Sequence, residues 1–477
     1  MRYCGYSEFF HDSGLAFIDE NGNIEFASHG ERYSRIKNDP NLPDVMYDMI
    51  RDDDHVTFYE DPSIRLQNKK GKGSPLLSST KKLNIIFDSL EYDDFISHHV
   101  SHAANGFYTR PWKSSEDTVI LSIDGVGEED SCVIFDHNFN PLNVWKDSRS
   151  LGYFYAQATK ILGFRVLEEE YIVMGMAAYG EPTHAQEIID YFYDRPANEL
   201  ATTSLSRGYK KFLRDIFLKI GKNNFAASIQ KFAEYVIMER AQEARKYGSK
   251  LIFTGGCAQN IIACSMIKPL FDDMHVPVAP TDAGSALGAA AYSYGKVTGN
   301  TRINWEGPYL GYDIQREINP KEVAQHVIDH SYCGVANGRA EFGPRALGNR
   351  SLIADVRRET KSTVNKIKRR QQFRPFAPAV LAEFADQYFE GPMNEYMQYT
   401  SKALHDYKPV IHVDGTSRVQ LVKPNCKSVI RQILEEYYEL TGVPMLLNTS
   451  LKIRGMPIVN DEDDAKAFEE MYSVKVF

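Results

Sequence analysis

The sequence has no paired cysteine motif. Its 6 cysteines are spread over 477 residues, and none forms a C-x-x-C pair. Neither a disulfide framework nor a thiolate zinc site is therefore indicated. We expect the cysteines to be reduced residues of the core.

Long apolar runs are also missing. No window approaches the roughly 18 apolar residues that a membrane-spanning helix requires. The first residues, MRYCGYSEFF, contain no apolar signal-peptide core. We expect a cytoplasmic protein without a membrane partner.

The chain lacks an excess of basic residues, since its formal net charge is -9. This balance argues against a protein that coats nucleic acid. Charged residues make up 25% and hydrophobic residues 43% of the chain, as in ordinary globular proteins. The length favours two to four domains.

One basic, glycine-rich stretch stands out against this acidic background. It begins as GVANGRAEFGPRALGNRSLIAD, and from Arg339 to Arg374 it holds eleven basic residues against three acidic ones. Glycines let backbone N–H groups approach an oxyanion, and guanidinium groups match carboxylate, phosphate or carbamate oxygens two at a time. The stretch, with Arg345 and Arg350 inside its loop, predicts an anion site.

A solvated basic surface is the simpler explanation of such a charge run. Here, however, the arginines alternate with Phe342, Pro344, Leu347, Pro375 and Phe376, which suits an exposed helix poorly. We favour the anion site. A nucleic-acid-binding module remains the alternative, and it predicts binding that weakens steeply with salt.

Two histidines, His98 and His102, are spaced one helical turn apart in DFISHHVSHAANG. They share one helix face and form half of a possible metal site, although a structural pair is the alternative. Two strand-loop-helix units, KLIFTGGCAQN and HVPVAPTDAGSALGAA, follow later in the chain. Because ligands bind at the carboxyl ends of parallel strands, we predict Asp282 as the third ligand.

Two turns are further candidates for the site. In LSIDGVGEED a buried strand ends at Asp124, and Gly125 and Gly127 follow, which suits a phosphate and its divalent ion. Near the N-terminus, residues 2–28 predict three strands with turns at His11-Asp12 and Asn21-Gly22. His11 is then either a turn residue or a general base.

The rest of the sequence gives a coarse map of elements. Residues 31–60 are predicted as a polar helix and residues 66–80 as a flexible insertion. Helices are predicted at 151–164, 225–247, 320–330 and 427–440, and a strand at 443–450.

Taken in order, the motifs resemble one family, the NodU/CmcH-type O-carbamoyltransferases. The matching strings are HDSGLAF, HHVSHAANGFY, LSIDGVGE, LGYFYAQATKILGF, VMGMAAYGEP, FTGGCAQN, PTDAGSALGAA, GRAEFGPRALGNRS, FRPFAPAV, HVDGTSRVQ and VPMLLNTSLKIRGMPIV. They extend from the first strand to about residue 460. The ordered set is specific, although each string alone is weak.

The resemblance implies an α/β protein. Its N-terminal part, 1–312, would be a duplicated actin-like ATPase (ASKHA) domain, and 313–477 would be a YrdC-like α/β domain. The implied activity is ATP-dependent O-carbamoyl transfer. The C-terminal domain would form a carbamoyl-adenylate from carbamoyl phosphate and ATP, and the N-terminal domain would transfer the carbamoyl group to a hydroxyl.

The resemblance also implies roles for individual residues. In the C-terminal part, the anion clamp would be Arg339, Arg345, Arg350 and Arg374, with Arg345 and Arg350 catalytic and Ser351 and Asn448 as hydrogen-bond partners. In the N-terminal part, the divalent-metal ligands would be His98, His102 and Asp282. The metal is expected to be Fe(II), with Mg²⁺ and Mn²⁺ left open.

Further N-terminal residues would bind the nucleotide or act on the acceptor. Those expected near the metal or the phosphates are Asp12, Asp124, Gly125 and Gly127, and those expected near the adenosine are Gly255, Gly256 and Asn260. His11 matches the position that assists deprotonation of the acceptor hydroxyl, a task that suits a neutral imidazole.

The chain departs from the family in two places. Ile172 lies where a lysine is common, and the sequence stops soon after NDEDDAKAF, earlier than many relatives. The acceptor is therefore expected only as a class of small hydroxyl compounds: a sugar, an antibiotic-type alcohol or a hydroxymethyl nucleotide. Nucleic acid is a partner only if it carries a modified base, and a homodimer is left open. An ordinary kinase, which releases ADP, is the competing enzyme class.

Overall fold

The protein is described by a computed structural model covering residues 1–9, 11–64, 92–146, 149–194 and 207–477, with backbone only for 207–209. The insertion predicted at 66–80 lies outside the described residues. The chain forms two compact units. The first is Met1–Gly30 with Pro40–Trp305, and the second is Glu31–Asp39 with Glu306–Phe477.

The first unit begins with a five-stranded sheet. Its strands are β1 (Tyr3–Ser7), β2 (Gly14–Ile18), β3 (Ile24–His29), β4 (His55–Phe58) and β5 (Asp94–Phe95). Their order is β3-β2-β1-β4-β5, with β1 to β3 antiparallel and β4 and β5 parallel to β1. The three predicted N-terminal strands are confirmed.

A second five-stranded sheet repeats this pattern. Its strands are β6 (Thr118–Ile123), β7 (Asp130–Phe135), β8 (Pro141–Lys146), β9 (Lys250–Thr254) and β10 (Asp273–His275). The order is β10-β9-β6-β7-β8, with an antiparallel meander followed by two parallel strands. The same topology appears twice, as expected for a duplicated actin-like fold, so the predicted α/β class is confirmed.

Helices pack on these sheets. Helix α1 (Glu31–Ser34) belongs to the second unit. The helices of the first unit are α2 (Asp44–Tyr47), α3 (His98–Tyr108), α4 (Leu151–Ile161), α5 (Glu170–Ala177), α6 (Ala185–Asp194), α7 (Arg207–Arg245), α8 (Ile261–Ile267) and α9 (Asp282–Thr298). Helix α7 covers the predicted 225–247 helix except for its last two residues and begins earlier, with a kink at Gly221.

The predicted helix over 31–60 is wrong. The segment contains two short helices, α1 and α2, and the strand β4. Pro40 and Pro43 interrupt any long helix, and the alternation in His55–Phe58 allows that strand to pair with β1. Asp282 was also predicted at a strand end, whereas it is the first residue of α9.

Helix α9 holds the first unit together because its small residues allow close packing. A Cβ atom at Gly5 of β1 would lie 2.0 Å from the carbonyl oxygen of Ala286, and one at Gly288 would lie 1.9 Å from that of Ser101 in α3. Only glycine permits such approaches. Through them α9 lies against both the first sheet and α3.

The second unit contains a mixed five-stranded sheet with order β12-β14-β20-β15-β19. Beside it are a two-stranded sheet, β11-β13, and a three-stranded sheet, β16-β17-β18. The strands of the unit are β11 (Tyr309–Ile314), β12 (Tyr332–Ala336), β13 (Gly338–Glu341), β14 (Arg350–Ala354), β15 (Ala377–Leu381), β16 (Phe389–Glu390), β17 (Ser401–Ala403), β18 (Thr416–Ser417), β19 (Gln420–Val422) and β20 (Met445–Ser450). The predicted boundary after residue 312 lies inside β11, which belongs to this unit.

Helices flank this sheet as well. They are α10 (Pro320–His330), α11 (Lys361–Ile367), α12 (Ala385–Tyr388), α13 (Ile430–Thr441) and α14 (Glu462–Tyr472). The core lies between the sheet and these helices, with Leu352, Leu446 and Ile433 fully buried. The glycine- and arginine-rich loop connects β13 to β14.

Two expectations drawn from absent motifs can be compared with the structure. All six cysteines are free, and four of them are buried. Among the described residues, no helix combines the length and the apolar character needed to span a bilayer.

Candidate functional site

Four side chains of the first unit converge on one point. His98, His102, Asp124 and Asp282 each offer a ligand atom, and these atoms lie within 4.8 Å of one another. The Nε2 atoms of the two histidines are 3.2 Å apart. The structure thus brings together the three predicted metal ligands and adds Asp124, which the sequence placed near the metal or phosphate.

The fold explains this convergence. His98 and His102 lie on one face of α3, Asp124 follows β6, and Asp282 begins α9. The close packing of α9 against α3 at Gly288 brings Asp282 to the histidines. The Oγ atom of Ser285 lies 3.1 Å from Nδ1 of His102 and directs the opposite nitrogen into the cluster.

The cluster carries strong negative potential. His102 Nε2 lies 3.0 Å from an oxygen of Asp124 and 3.3 Å from one of Asp282. Although burial opposes it, these two carboxylates raise the pKa of His102 to about 10. Two imidazole nitrogens and two carboxylates fit a divalent cation, and this mixed set suits Fe(II) or Mn²⁺ better than Mg²⁺, which prefers oxygen ligands.

The third histidine of the motif, His99, has a structural role. Its Nδ1 lies 2.8 Å from the hydroxyl of Ser122, and its Nε2 lies 2.8 Å from the carbonyl oxygen of Asp130. Burial lowers the pKa of His99 to about 3. The ring ties α3 to β6 and β7.

His11 and Asp12 lie in the turn between β1 and β2. Nε2–H of His11 donates to the carbonyl oxygen of Leu167 at 2.5 Å, while Nδ1 lies 3.4 Å from Oδ1 of Asp12. Burial opposes protonation, but Asp12 raises the pKa of His11 to about 10. The neutral imidazole expected from the sequence is therefore not what this geometry favours, because both ring nitrogens face oxygen acceptors.

Asp12 is occupied by protein groups. It accepts hydrogen bonds from the Thr281 hydroxyl at 3.0 Å and from the Ala283 amide at 3.2 Å. Asp12 thereby caps the N-terminus of α9 beside Asp282. Its contacts link His11 to the elements of the metal cluster, and cofactor binding by Asp12 stays a prediction.

Glu170 is a site residue that the sequence analysis missed. It is the first residue of α5, and its carboxylate accepts from the amide of Leu167, whose carbonyl oxygen holds His11. Burial raises the pKa of Glu170, and His11 acts in the opposite direction. Only the run of glutamates before α5 could have signalled this residue. Ile172, the departure from the family, is fully buried in the same helix.

The predicted glycine turns surround Asp124. The amides of Gly125 and Gly256 donate to its carboxylate at 2.5 and 2.8 Å. Gly255 has a positive φ of 82°, and a Cβ atom there would lie 2.3 Å from the carbonyl oxygen of Ile123. These glycines orient Asp124 toward the cluster.

Two other predicted nucleotide contacts have local structural roles. At Gly127, a Cβ atom would lie 2.9 Å from the ring of His99. The side-chain oxygen of Asn260 caps α8, and the same amide exchanges hydrogen bonds with Gln230. Phosphate or metal binding near Gly127 and adenosine binding near Asn260 stay predictions.

In the second unit, Arg350 is an interior residue. It is 0% exposed, and its guanidinium donates only to carbonyl oxygens. Those acceptors belong to Tyr312, Asn337, Gly338, Asn349 and Asn460. The predicted catalytic role for Arg350 is not supported by this geometry, since its donors hold the loop together.

Arg339 and Ser351 also form hydrogen bonds with backbone groups of the protein. Arg339 is half-buried and donates to the carbonyl oxygens of Leu310 and Gly311. The Ser351 hydroxyl is fully buried and accepts from the amide of Gly348 at 3.0 Å. Both residues shape the loop between β13 and β14.

Arg345 and Arg374 are grouped instead with a third arginine, Arg418, which the sequence analysis missed. Burial and the charges of Arg345 and Arg374 lower the pKa of Arg418 well below its usual value. Among the described residues, no hydrogen bond or ion pair is found for the Arg418 guanidinium. The string HVDGTSRVQ contains Arg418 and could have signalled it.

Asn448 presents an unsatisfied acceptor. The Gln420 side chain donates to the carbonyl oxygen of Leu347, so its own oxygen faces Asn448 and accepts from Asn448 Nδ2 at 2.7 Å. Asn448 Nδ2 also donates to the carbonyl oxygen of Ala346. Oδ1 of this 1% exposed side chain is left without a hydrogen-bond partner in the described part of the chain. Such a buried oxygen requires a donor.

Two lysines extend the positive region. Lys368 is buried and donates to backbone oxygens of Ser450 and Lys452. Burial, with the charges of Arg370, Lys452 and Arg374, lowers the pKa of Lys368. Burial, together with nearby cations such as Arg374, lowers the pKa of Lys452 to about 7. The basic run predicted from sequence is thus partly interior, unlike a surface that binds nucleic acid.

Comparison with known families supports one assignment. The family described as Carbamoyltransferase N-terminus matches residues 79–291, and Carbamoyltransferase C-terminus matches residues 324–476. Nodulation protein NolNO of Sinorhizobium fredii is 30% identical over 96% of this chain and 76% of that protein. Nodulation protein NolO of Bradyrhizobium diazoefficiens is 31% identical over 78% of this chain and 75% of that protein.

Solved structures give weaker similarity. The activator of 2-hydroxyisocaproyl-CoA dehydratase from Clostridium difficile with bound ADPNP has a TM-score of 0.38 and 15% identity, covering 63% of this chain and 96% of that one. Full-length HypF in the phosphate- and nucleotide-bound form has a TM-score of 0.33 and 12% identity, covering 63% and 55%.

Proposed function

This chain belongs to the carbamoyltransferase family, and from that premise we propose that it is an ATP-dependent O-carbamoyltransferase. In this proposal, the second unit makes a carbamoyl-adenylate and the first unit transfers the carbamoyl group to a hydroxyl. The acceptor is a small hydroxyl compound or a hydroxymethylated nucleotide.

The first reaction uses carbamoyl phosphate, water and ATP. Water cleaves carbamoyl phosphate to carbamate and phosphate, and a carbamate oxygen then attacks the α-phosphorus of ATP, so that pyrophosphate leaves. Every reactant and product other than water is an anion. Arg345, Arg374 and Arg418 supply positive charge for the reacting phosphates, which lowers the barrier by positioning and electrostatic stabilisation.

The single observation that carries this proposal is the grouping of Arg418 with Arg345 and Arg374. Burial, followed by the charges of Arg345 and Arg374, lowers the pKa of Arg418, so a bound anion would reduce the cost of holding this guanidinium beside the other two. No hydrogen bond or ion pair is found for Arg418 within the described residues, so its guanidinium remains available to phosphate oxygens.

Asn448 gives the site a means of selecting the carbamoyl group. Its Oδ1 can accept a hydrogen bond from the carbamoyl NH₂, which acetyl phosphate lacks. A buried acceptor left unpaired costs about 1–3 kcal/mol, so this contact would favour carbamoyl over acetyl phosphate. We therefore assign Asn448 to recognition of the carbamoyl amide.

The second reaction forms a bond between the acceptor oxygen and the carbamoyl carbon and breaks the bond from that carbon to the AMP oxygen. We assign the acceptor proton to the Glu170 carboxylate, and stabilisation of the leaving phosphate to His11, which Asp12 holds as a cation. His98, His102, Asp124 and Asp282 would hold a divalent cation, which supplies further positive charge.

The test is incubation of the full chain with ATP, labelled carbamoyl phosphate and a panel of hydroxyl compounds. We expect AMP and pyrophosphate, and a product that gains the mass of one carbamoyl group in mass spectrometry. Formation of ADP with a phosphorylated acceptor would overturn the proposal in favour of a kinase.

Substitutions separate the two reactions. Arg345→Ala and Arg418→Ala should abolish pyrophosphate release. His11→Ala and Glu170→Gln should leave adenylate formation intact and block transfer. If all four variants lose both reactions equally while remaining folded, this division of labour is wrong.

A further inference from the structure

A buried carboxylate lies behind the metal cluster. Glu60 follows β4 and is 0% exposed, and its Oε2 lies 3.7 Å from Nδ1 of His98. His98 is equally buried, and its other nitrogen, Nε2, faces His102 and Asp282. His98 therefore has the cluster on one side of its ring and Glu60 on the other.

The relative placement of Glu60 and His98 is fixed by Glu128. One oxygen of the Glu128 carboxylate accepts from the amide of Asp61, next to Glu60, and from the amide of His98, both at 2.9 Å. The end of β4 and the start of α3 are thus tied to the same atom. This arrangement holds Glu60 beside the histidine before any ligand arrives.

The second histidine of the cluster has a different partner. Nδ1 of His102 lies 3.1 Å from the hydroxyl of Ser285. A hydroxyl orients a ring without adding charge, whereas a carboxylate both orients it and increases the basicity of the opposite nitrogen. The two imidazoles of one site are therefore supported unequally.

We propose that Glu60 is the positioning residue of the metal centre. Its carboxylate, 3.7 Å from Nδ1 of His98, attracts the Nδ1 proton and so favours the tautomer that presents Nε2 to the cation. Its negative charge also offsets the charge of the cation in an interior where water cannot solvate that charge. This inference rests on the metal site of the proposed function but concerns metal affinity alone.

The experiment measures binding of Co²⁺ to the full-length, chelator-stripped protein by visible absorption. Glu60→Gln keeps the shape of the side chain and removes its charge. We expect Co²⁺ affinity to fall about 10- to 100-fold. The melting temperature of the metal-free protein should change little. Ser285→Ala should have a smaller effect, and Glu20→Gln, at an exposed carboxylate paired with the N-terminus, none.

The outcomes are distinguishable. If wild type binds Co²⁺ and Glu60→Gln binds it within twofold of wild type, the role of Glu60 is refuted while the metal site stands. If wild type binds no Co²⁺, the metal site itself is refuted.

A second measurement does not depend on the variant folding. In the Zn²⁺-loaded wild type, ¹⁵N NMR should show His98 bound through Nε2 and protonated at Nδ1. Metal bound through Nδ1 would overturn the inference.

Discussion

Arginines of the second unit show how environment decides the role of one residue type. Arg350 and Arg345 are close in sequence, yet Arg350 donates only to carbonyl oxygens in the interior, whereas Arg345 lies beside Arg418. A fully buried guanidinium whose three nitrogens all donate to carbonyl oxygens is poorly placed to bind phosphate as well. The first arginine is a structural element and the second is a proposed anion ligand.

This difference predicts opposite behaviour on substitution. Arg350→Ala should lower the free energy of unfolding by about 3 kcal/mol, because several buried carbonyl oxygens lose their donor. Arg345→Ala should cost less stability than Arg350→Ala, because Arg345 is half-buried rather than interior, and it should abolish adenylate formation. Chemical denaturation of both variants, alongside pyrophosphate release, checks this. A stable Arg350→Ala protein without activity would contradict it.

The Lys452 amine should make proton uptake on ATP binding depend on pH. Because burial and nearby cations lower the pKa of Lys452 to about 7, its amine is largely neutral in the free protein at pH 8. ATP bound nearby would raise that pKa, so binding at pH 8 should take up a proton. At pH 6 the amine is already charged, and uptake should be small.

Calorimetry of ATP binding in buffers of different ionisation enthalpy measures this uptake. Lys452→Arg, which stays charged at both pH values, is the matched control and should lack the additional proton uptake of wild type at pH 8. Equal proton uptake by wild type and Lys452→Arg would assign the effect to another group.

At the scale of elements, a short segment from early in the chain supports the arginine loop. Arg32 of α1 is 2% exposed and donates to the carbonyl oxygens of Glu341 and Gly343. One carboxylate oxygen of Glu341 in turn accepts from the amides of Leu347, Asn349 and Arg350. Residues far apart in sequence therefore fix the backbone that carries Arg345.

We expect Arg32→Ala to raise the KM for carbamoyl phosphate about 10- to 100-fold, since a small displacement of an anion ligand is costly. Arg32→Lys should restore part of this loss, because its amine can still donate to one carbonyl oxygen. Steady-state kinetics of pyrophosphate release provides the measurement.

The control is Arg51→Ala, at an exposed arginine of the first unit. If Arg32→Ala lowers the melting temperature but leaves the KM unchanged, Arg32 contributes stability alone.

For the whole molecule, we assign the two proposed half-reactions to the two compact units of one chain. Carbamoyl-adenylate hydrolyses readily, so we expect it not to be released into bulk water between them. A mixture of the His11→Ala and Arg345→Ala proteins should then form no more carbamoylated product than the separate variants. Recovery of product in the mixture, followed by mass spectrometry, would show that the intermediate diffuses freely.

Several features of this protein were predictable from the sequence because they depend on interactions between residues that are close along the chain. The spacing of His98 and His102 places them on one helix face, whatever surrounds the helix. Strand patterns and turn residues located β1 to β3, and the order of motifs indicated the family. The repeat of the first sheet in the second was not visible as a sequence period, because topology repeats without the residues repeating.

The sequence by itself determined the chemical types available: imidazoles and carboxylates in the first part, and arginines with glycines in the second. Only the tertiary structure decided which of them meet. It added Asp124 to the candidate metal cluster, Arg418 to the proposed anion site and Glu170 to the surroundings of His11, and it placed Arg350 in the interior. The reason is physical, since pKa, hydrogen bonding and ligand geometry depend on distances through space that the packing of remote segments creates.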